Sequence, residues 1–208
     1  MRCLRWLALI VSAPACAAPL SWQAAFPIEQ APSQVYFQAR YIDARGVPHQ
    51  LQVWRDGSQL LRRTDDVLDI EVTHDAAGAA HYRVFDYRRG IVTQVARNNL
   101  YRIGVFSDDF SLAHVLATPH GAFVLTADQA QTARPGECNW VQFSPVKGEA
   151  SQVCWSAKWG VPLAIRQAGK PIFQIEQLAR NAPATFFQKQ QRDWITVDAN
   201  QDIDPAAD

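Results

Sequence analysis

The feature that most constrains this chain is a two-residue alternation of apolar and polar side chains, which recurs in short segments separated by turn residues. Residues 35–41, VYFQARY, alternate in this way, and residues 50–55, QLQVWR, do so again. Successive side chains of a β-strand point to opposite faces, so this period predicts strands, whereas a helix needs a period near 3.6. Asp56-Gly57 is a hairpin signal because glycine tolerates positive φ. These segments are therefore expected to pair as antiparallel strands.

The alternation continues through most of the sequence. Further strands are predicted over residues 60–63, 68–73, 81–85, 91–95, 123–125, 163–167 and 172–178. Between the two sets of strands, Ser107 can cap a short helix whose apolar positions include Phe110 and Leu112. Regular short strands with turn signals are typical of a meander, which can curl into a barrel. We therefore expect a mainly β fold: an antiparallel, incomplete and half-open β-barrel, with one or more short helices packed in or across it.

The start of the chain has the composition of a secretory signal. Arg2 and Arg5 precede the apolar run of residues 6–11, and small residues follow up to Ala17. This run is shorter than the roughly 20 apolar residues that a membrane-spanning helix needs. We expect residues 1–17 to be a cleaved signal and the protein to be periplasmic in a Gram-negative source, with no transmembrane segment. In the alternative, Cys16 is lipid-modified and anchors the mature chain.

Charge and chain length limit the remaining possibilities. The sequence has 20 basic and 20 acidic residues, and removing Arg2 and Arg5 leaves 18 against 20. Nucleic-acid binding depends on a basic face, so no nucleic-acid partner is expected. No repeat or linker divides residues 18–208, which predicts a single domain. It ends in a short, flexible, acidic tail; alternate oxygen ligands from Asp198 resemble a calcium loop, but Ile203 stands where that loop requires glycine.

Cys138 and Cys154 are the cysteines outside the predicted signal. An even pair in an oxidising compartment indicates a disulfide. Residues 145–148 supply a turn about midway between them, so the flanking strands of a hairpin could bring the two cysteines opposite each other. A redox role favours C-x-x-C spacing and a zinc site needs more ligands. The pattern therefore predicts a structural disulfide.

The sequence shows no constellation typical of an enzyme. It lacks a G-x-S-x-G elbow, an H-E-x-x-H pair, a phosphate-binding glycine loop and a dinucleotide fingerprint. The five histidines are scattered: His49, His74, His81, His114 and His120. We therefore expect no catalytic residue, no cofactor and no metal.

Aromatic residues provide the candidates for binding. Seven tryptophans and ten phenylalanines are a large complement for this length. They could simply fill a core, or they could line an apolar cavity of the kind that binds small molecules and lipids. The candidates for lining such a cavity are Phe37, Trp54, Trp140, Trp155 and Trp159.

The stretch VCWSAKWGVPLAIRQAGKPIFQIEQL, residues 153–178, resembles the later strands of the LolA/LolB-like family and of the related RseB/MucB-type N-terminal domains. The match consists of Trp155, Gly160, Pro162, Leu163 and Gly169, and QLQVWRDGSQLLRR resembles the early hairpin of the same superfold. The resemblance implies an unclosed antiparallel β-barrel that holds a helical plug against an apolar concave face.

One departure from that family lies at the start of the mature chain. Carriers of the family begin with an amphipathic helix before the first strand. Here Pro19, Pro27 and Pro32 leave room for only about one helical turn, around residues 22–26.

Three classes of function follow. The first is a non-enzymatic periplasmic binding protein that carries or senses a hydrophobic ligand, such as an acyl chain, a lipid or a lipidated peptide. The alternative is an envelope interaction or scaffold protein with a filled barrel, whose free strand edges recruit a protein partner. The third is an enzyme, which would require a polar cleft converging on His74, His81 or His114.

Overall fold

The computed structural model describes residues 18–57, 59–103, 109–119, 121–128, 137–187 and 193–201. The predicted signal over residues 1–17, with Cys16, lies outside the described residues. So do the predicted helix cap Ser107, His120 and residues 202–208 of the predicted acidic tail.

The described residues form a mainly β structure with two short α-helices. The strands are β1 Gln34–Ile42, β2 Pro48–Asp56, β3 Gln59–Thr64, β4 Leu68–His74, β5 Ala80–Asp86, β6 Ile91–Ala96, β7 Phe123–Ala127, β8 Asn139–Pro145, β9 Ser151–Ser156, β10 Val161–Gln167, β11 Lys170–Ala179 and β12 Ile195–Asp198. The helices are α1 Trp22–Ala25 and α2 Asp109–His114, and 3-10 turns span Arg97–Ile103 and Ala184–Phe187.

All twelve of these strands belong to one sheet, in the order β12-β6-β5-β4-β3-β2-β1-β11-β10-β9-β8-β7. The meander β1–β6 and the meander β7–β11 each pair in chain order, and they meet where β1 pairs with β11. The two end strands, β12 and β7, are not paired with each other, so the sheet does not close. The expected mainly β, half-open fold is confirmed.

One strand departs from the antiparallel pattern. β12 pairs with β6 in parallel, with Ile195 opposite Ile91 and Asp198 opposite Gln94. The stretch that follows forms a turn in which the side chain of Asn200 accepts from the backbone N–H of Ala96 at 2.9 Å. The described part of the acidic C-terminal stretch is therefore hydrogen-bonded to the end of β6.

The segment before β1 contains a single turn of helix, as its prolines predict. Ser21 caps α1 by accepting from the backbone N–H of Ala24, and the helix ends at Ala25, just before Phe26-Pro27. Phe26 is buried in an apolar cluster with Trp155. The segment is thereby held against the second meander.

The core lies on both faces of the sheet. The concave face carries the larger cluster, which includes Phe37, Val53, Leu60 and Val72, and Leu112 of α2 packs against it. Helix α2 touches β2 and β3 and so covers part of this face. A smaller cluster of Tyr36, Leu61 and Phe186 lies on the convex face. The segments that position the candidate site are therefore β2, β3, β4, α2 and the residues just before β1.

Candidate functional site

The structure places the aromatic candidates on different parts of the sheet. Phe37 is fully buried in the concave core. Trp54 pairs in register with Tyr36 and packs edge-on against Phe187, with ring centroids 5.0 Å apart. Its neighbour Val53 belongs to the concave core. Phe37 and Trp54 therefore lie on opposite faces, because adjacent strand residues point in opposite directions.

The other three tryptophans belong to the second meander. The guanidinium carbon of Arg166 lies over the indole ring of Trp140, 4.8 Å from the ring centroid. Trp155 is buried, and its indole N–H donates to the Pro27 carbonyl at 2.9 Å. Trp159 is partly buried against the concave core. The structure does not bring the five candidates together around one cavity.

A cavity of about 320 Å³ lies at the concave face, between β2, β3, β4, α2 and the segment of residues 28–33. Its apolar wall includes Leu60, Val72, Phe110 and Ala113. This size is near the lower end of the range for small-molecule pockets, which are lined mainly by apolar groups with a few polar ones. None of the five aromatic candidates lines it.

Arg55 supplies the positive charge in the wall of this cavity. Its Nη2 donates to the Trp159 carbonyl at 2.7 Å, and its Nη1 lies 3.0 Å from Nε2 of His114. Its Nε is buried and has no hydrogen-bond partner among the described residues. Burial lowers the pKa of Arg55 to about 10, so the guanidinium stays protonated at neutral pH.

His114 forms the polar end of α2 and is almost fully buried. Its Nδ1 hydrogen-bonds to the Gly160 carbonyl, so this nitrogen carries the proton and Nε2 accepts from Arg55. Burial lowers the pKa of His114 to about 4, and the positive charge of Arg55 acts in the same direction. His114 is therefore neutral at pH 7 and does not repel Arg55.

Gly160 completes the arrangement because no side chain fits at this position. Its φ is +62°, and a Cβ there would lie 2.9 Å from the Cβ of Ala31 and 3.3 Å from Nη2 of Arg55. L-residues with a side chain are disfavoured at such a φ. Glycine thus allows the β9–β10 turn to approach Arg55 and His114 closely.

Sequence reasoning missed Arg55, His114 and Gly160 as a group. A signal for Arg55 was present: it occupies the position in β2 where the alternation Leu51, Val53 continues on the concave face. A charged residue at an apolar position of a strand is unusual. The partners of Arg55 had no signal, because α2 and the β9–β10 turn are distant in sequence.

The predicted disulfide is present. Cys138 and Cys154 are bonded, with Cα atoms 5.4 Å apart. Cys138 directly precedes β8, and Cys154 lies opposite Trp140 in the β8–β9 pair. The bond therefore staples the start of this hairpin to its second strand.

Two further observations concern the described residues. They include no group of three or more His, Cys, Asp or Glu side chains placed to hold a metal ion. They also include no helix with the length and apolar character required to cross a membrane.

Comparisons with known proteins give no family for this chain. No family model matches the sequence. No curated protein matches it either.

Proposed function

We propose that this protein is a non-enzymatic binding protein that carries or senses a hydrophobic ligand at the concave face of its half-open sheet. The observation that carries the proposal is the cavity of about 320 Å³ between the sheet and α2. The proposal includes export to the periplasm through the signal of residues 1–17 and membership of the LolA/LolB-like superfamily.

Three features of the fold support this proposal. The sheet is not closed, so its concave face has an open side. Apolar side chains of β1–β4 form most of this face, which also carries Arg55 and Arg62. A short helix, α2, and not a further strand, lies over the cavity. Burying an acyl chain here would stabilise the complex by roughly 0.8 kcal/mol for each methylene group removed from water.

The test is native mass spectrometry of the mature protein purified from the periplasm, followed by organic extraction of bound material. We expect a co-purifying species that carries an acyl chain. A cavity-filling variant, Ala113→Phe, should lose that species, because Ala113 lines the cavity. Ala24→Phe is the matched control, since Ala24 is exposed on α1. An apo mass for the unmodified protein in every preparation would refute the proposal.

The same spectra test the processing of the chain. Cleavage after Ala17 predicts a mature chain that begins at Ala18. A chain that begins at Cys16 and is heavier by a diacylglycerol group would instead show that the protein is lipid-anchored through Cys16.

The second candidate function is an envelope interaction module. It is favoured by β7, which ends the sheet and leaves Val124 half exposed. Among the described residues, Pro19 and Leu20 pair with this edge, at Thr126 and Leu125. An added strand from a partner could extend the rest of the edge. A stoichiometric protein partner that co-purifies with a ligand-free chain would favour this candidate over the first.

A further inference from the structure

We propose that the cavity beside α2 binds a single-chain amphiphile with an anionic head group, and that oxygens of this head group contact Arg55. The inference rests on the proposed function and gives it a ligand class: an alkyl chain ending in a carboxylate or a phosphate monoester.

The first argument is the uncompensated charge of Arg55. Its two hydrogen-bond acceptors are the Trp159 carbonyl and His114, which is neutral at pH 7. Neither acceptor carries a negative charge, and no carboxylate of the described residues pairs with this guanidinium. Two other arginines of the sheet differ: Arg63 is paired with Asp69, and Arg83 with Glu71.

The second argument is the free donor on the same side chain. Nε of Arg55 is buried and has no acceptor among the described residues. A buried donor without a partner is destabilising, and a hydrogen bond from a guanidinium to an anionic oxygen is stronger than one between neutral groups. A ligand oxygen close to Arg55 would therefore satisfy both its charge and its remaining donor.

The third argument is the composition of the cavity wall. Its residues include no aspartate or glutamate, and its ionisable side chains are those of Arg55, His74 and His114. Leu60, Val72 and Phe110 offer an apolar surface next to the guanidinium. A cation would be repelled by this wall, and a neutral alkyl chain would leave the charge of Arg55 buried without compensation. An anionic head group joined to an alkyl chain matches both parts of the wall.

Arg62 provides an internal control for this argument. It lies on the concave face opposite Val53 in the β2–β3 pair, and burial lowers its pKa. No carboxylate of the described residues pairs with Arg62, but it does not line the cavity. If a general positive potential of the concave face attracted the ligand, Arg62 would matter as much as Arg55.

The experiment is calorimetric titration of the mature protein, freed of bound lipid, with four eight-carbon probes at pH 7.5. The probes are octanoate, octyl phosphate, 1-octanol and octyltrimethylammonium. We expect octanoate or octyl phosphate to bind at least about tenfold more tightly than octanol, which corresponds to about 1.4 kcal/mol. We expect octyltrimethylammonium to bind more weakly than octanol. The order of the two anions identifies the head group.

Variants then locate the head group. Arg55→Met keeps the approximate length of the side chain and removes its charge, so it should abolish the preference for the anions over octanol. Arg62→Met should retain the preference. An equal loss in both variants would overturn the assignment to Arg55. If Arg55→Met does not fold, the comparison of the four probes on the unmodified protein still decides whether an anion is preferred.

The outcomes separate this inference from the proposed function. Equal affinities for octanoate, octyl phosphate and octanol would overturn the anionic head group while leaving a hydrophobic site in place. No binding of any probe, together with an apo mass for the purified protein, would overturn the proposed function itself.

Discussion

Arg55 and Trp159 are 104 positions apart in the chain, yet Nη2 of Arg55 donates to the carbonyl of Trp159 at 2.7 Å. Arg55 lies near the end of β2, in the first meander, and Trp159 lies in the β9–β10 turn of the second. His114 of α2 contacts both segments, since it hydrogen-bonds to Arg55 and to the Gly160 carbonyl. Two meanders and a helix are thus tied together at one wall of the cavity.

Replacing Gly160 should disrupt this junction. Gly160→Ala places a Cβ at 2.9 Å from the Cβ of Ala31, at a φ of +62°. The left-handed backbone alone costs roughly 1–2 kcal/mol for an alanine. The clash adds to this, so we expect a total loss of about 2–4 kcal/mol in the free energy of unfolding, measured by urea denaturation.

Gly169→Ala is the matched control for that variant. Gly169 has a φ of +76°, and a Cβ there would meet no atom within 4 Å. It should show the backbone cost without the clash. Equal losses in the two variants would show that the close approach at Gly160 does not contribute.

Asp69→Asn should destabilise the sheet from its convex side. Asp69 is fully buried, accepts from Arg63 at 2.9 and 3.0 Å, and accepts from the Tyr87 hydroxyl at 2.9 Å. Removing one charge of a buried pair leaves the other uncompensated, so we expect a loss of about 3 kcal/mol in the free energy of unfolding. Thermal and urea denaturation would measure it.

Asp66→Asn tests the role of burial in that result. Asp66 lies 3.9 Å from the same Arg63, but its side chain is 86% exposed. An exposed ion pair contributes little, so its loss should change stability by less than about 0.5 kcal/mol. A similar loss of stability in Asp69→Asn and Asp66→Asn would contradict the prediction that the buried pair of Asp69 and Arg63 contributes more than the exposed one.

The disulfide should contribute measurably to stability. Cys138 and Cys154 close a loop with a sequence separation of 16. A loop of this size corresponds to about 3 kcal/mol in the chain-entropy model. We therefore expect the double variant Cys138→Ala/Cys154→Ala to unfold at a lower urea concentration than the oxidised protein. Dithiothreitol should lower the midpoint of the unmodified protein and leave the double variant unchanged; no effect on either would contradict the prediction.

Acid should destabilise the protein partly through His114. Its pKa is about 4 in the folded state, against an ordinary value of 6.5. Between these values the unfolded chain binds a proton that the folded protein does not, so stability is lost as the pH falls from about 6.5 to about 4. With 1.36 kcal/mol per pH unit, the loss from this group is on the order of 3 kcal/mol.

His114→Gln isolates this contribution. The variant has no titrating group at position 114, so its stability should fall less between pH 7 and pH 4.5. The aspartates with lowered pKa values, such as Asp43 and Asp75, and His49 with its raised pKa are present in both proteins. Their contributions cancel in the difference. Parallel stability curves for the two proteins, or an NMR titration of His114 near pH 6.5, would refute the prediction.

Much of the strand pattern could be predicted because it depends on local alternation. Residues 35–41 and 50–55 fall within β1 and β2, and Gly57, with a φ of +52°, makes the predicted turn. The prolines before β1 predicted a single helical turn, which α1 confirms. The disulfide was also predicted, because Cys138 and Cys154 are the two cysteines outside the predicted signal. Each of these depends on neighbours in sequence or on a unique pair.

The strand β12 could not be predicted in the same way. Its four residues, Ile195–Asp198, alternate apolar and polar side chains, but so short a run does not identify a strand, and all four are exposed or half-buried. It pairs in parallel with β6, about a hundred residues earlier, so its partner has no signal in the adjacent sequence. Such a strand depends on an available edge, which only the assembled sheet provides.

The sequence by itself determined a β meander, its turns and its disulfide, since alternation, glycine conformation and a single cysteine pair are local or unambiguous. Tertiary structure alone decided that Phe37 and Trp54 lie on opposite faces of a sheet buried on both sides, and that Arg55, His114 and Gly160 meet. The physical reason is that both meanders and α2 must fold onto one sheet before these three residues come into contact. The guanidinium of Arg55 then lies against the β9–β10 turn, whose Trp159 carbonyl accepts a hydrogen bond from it.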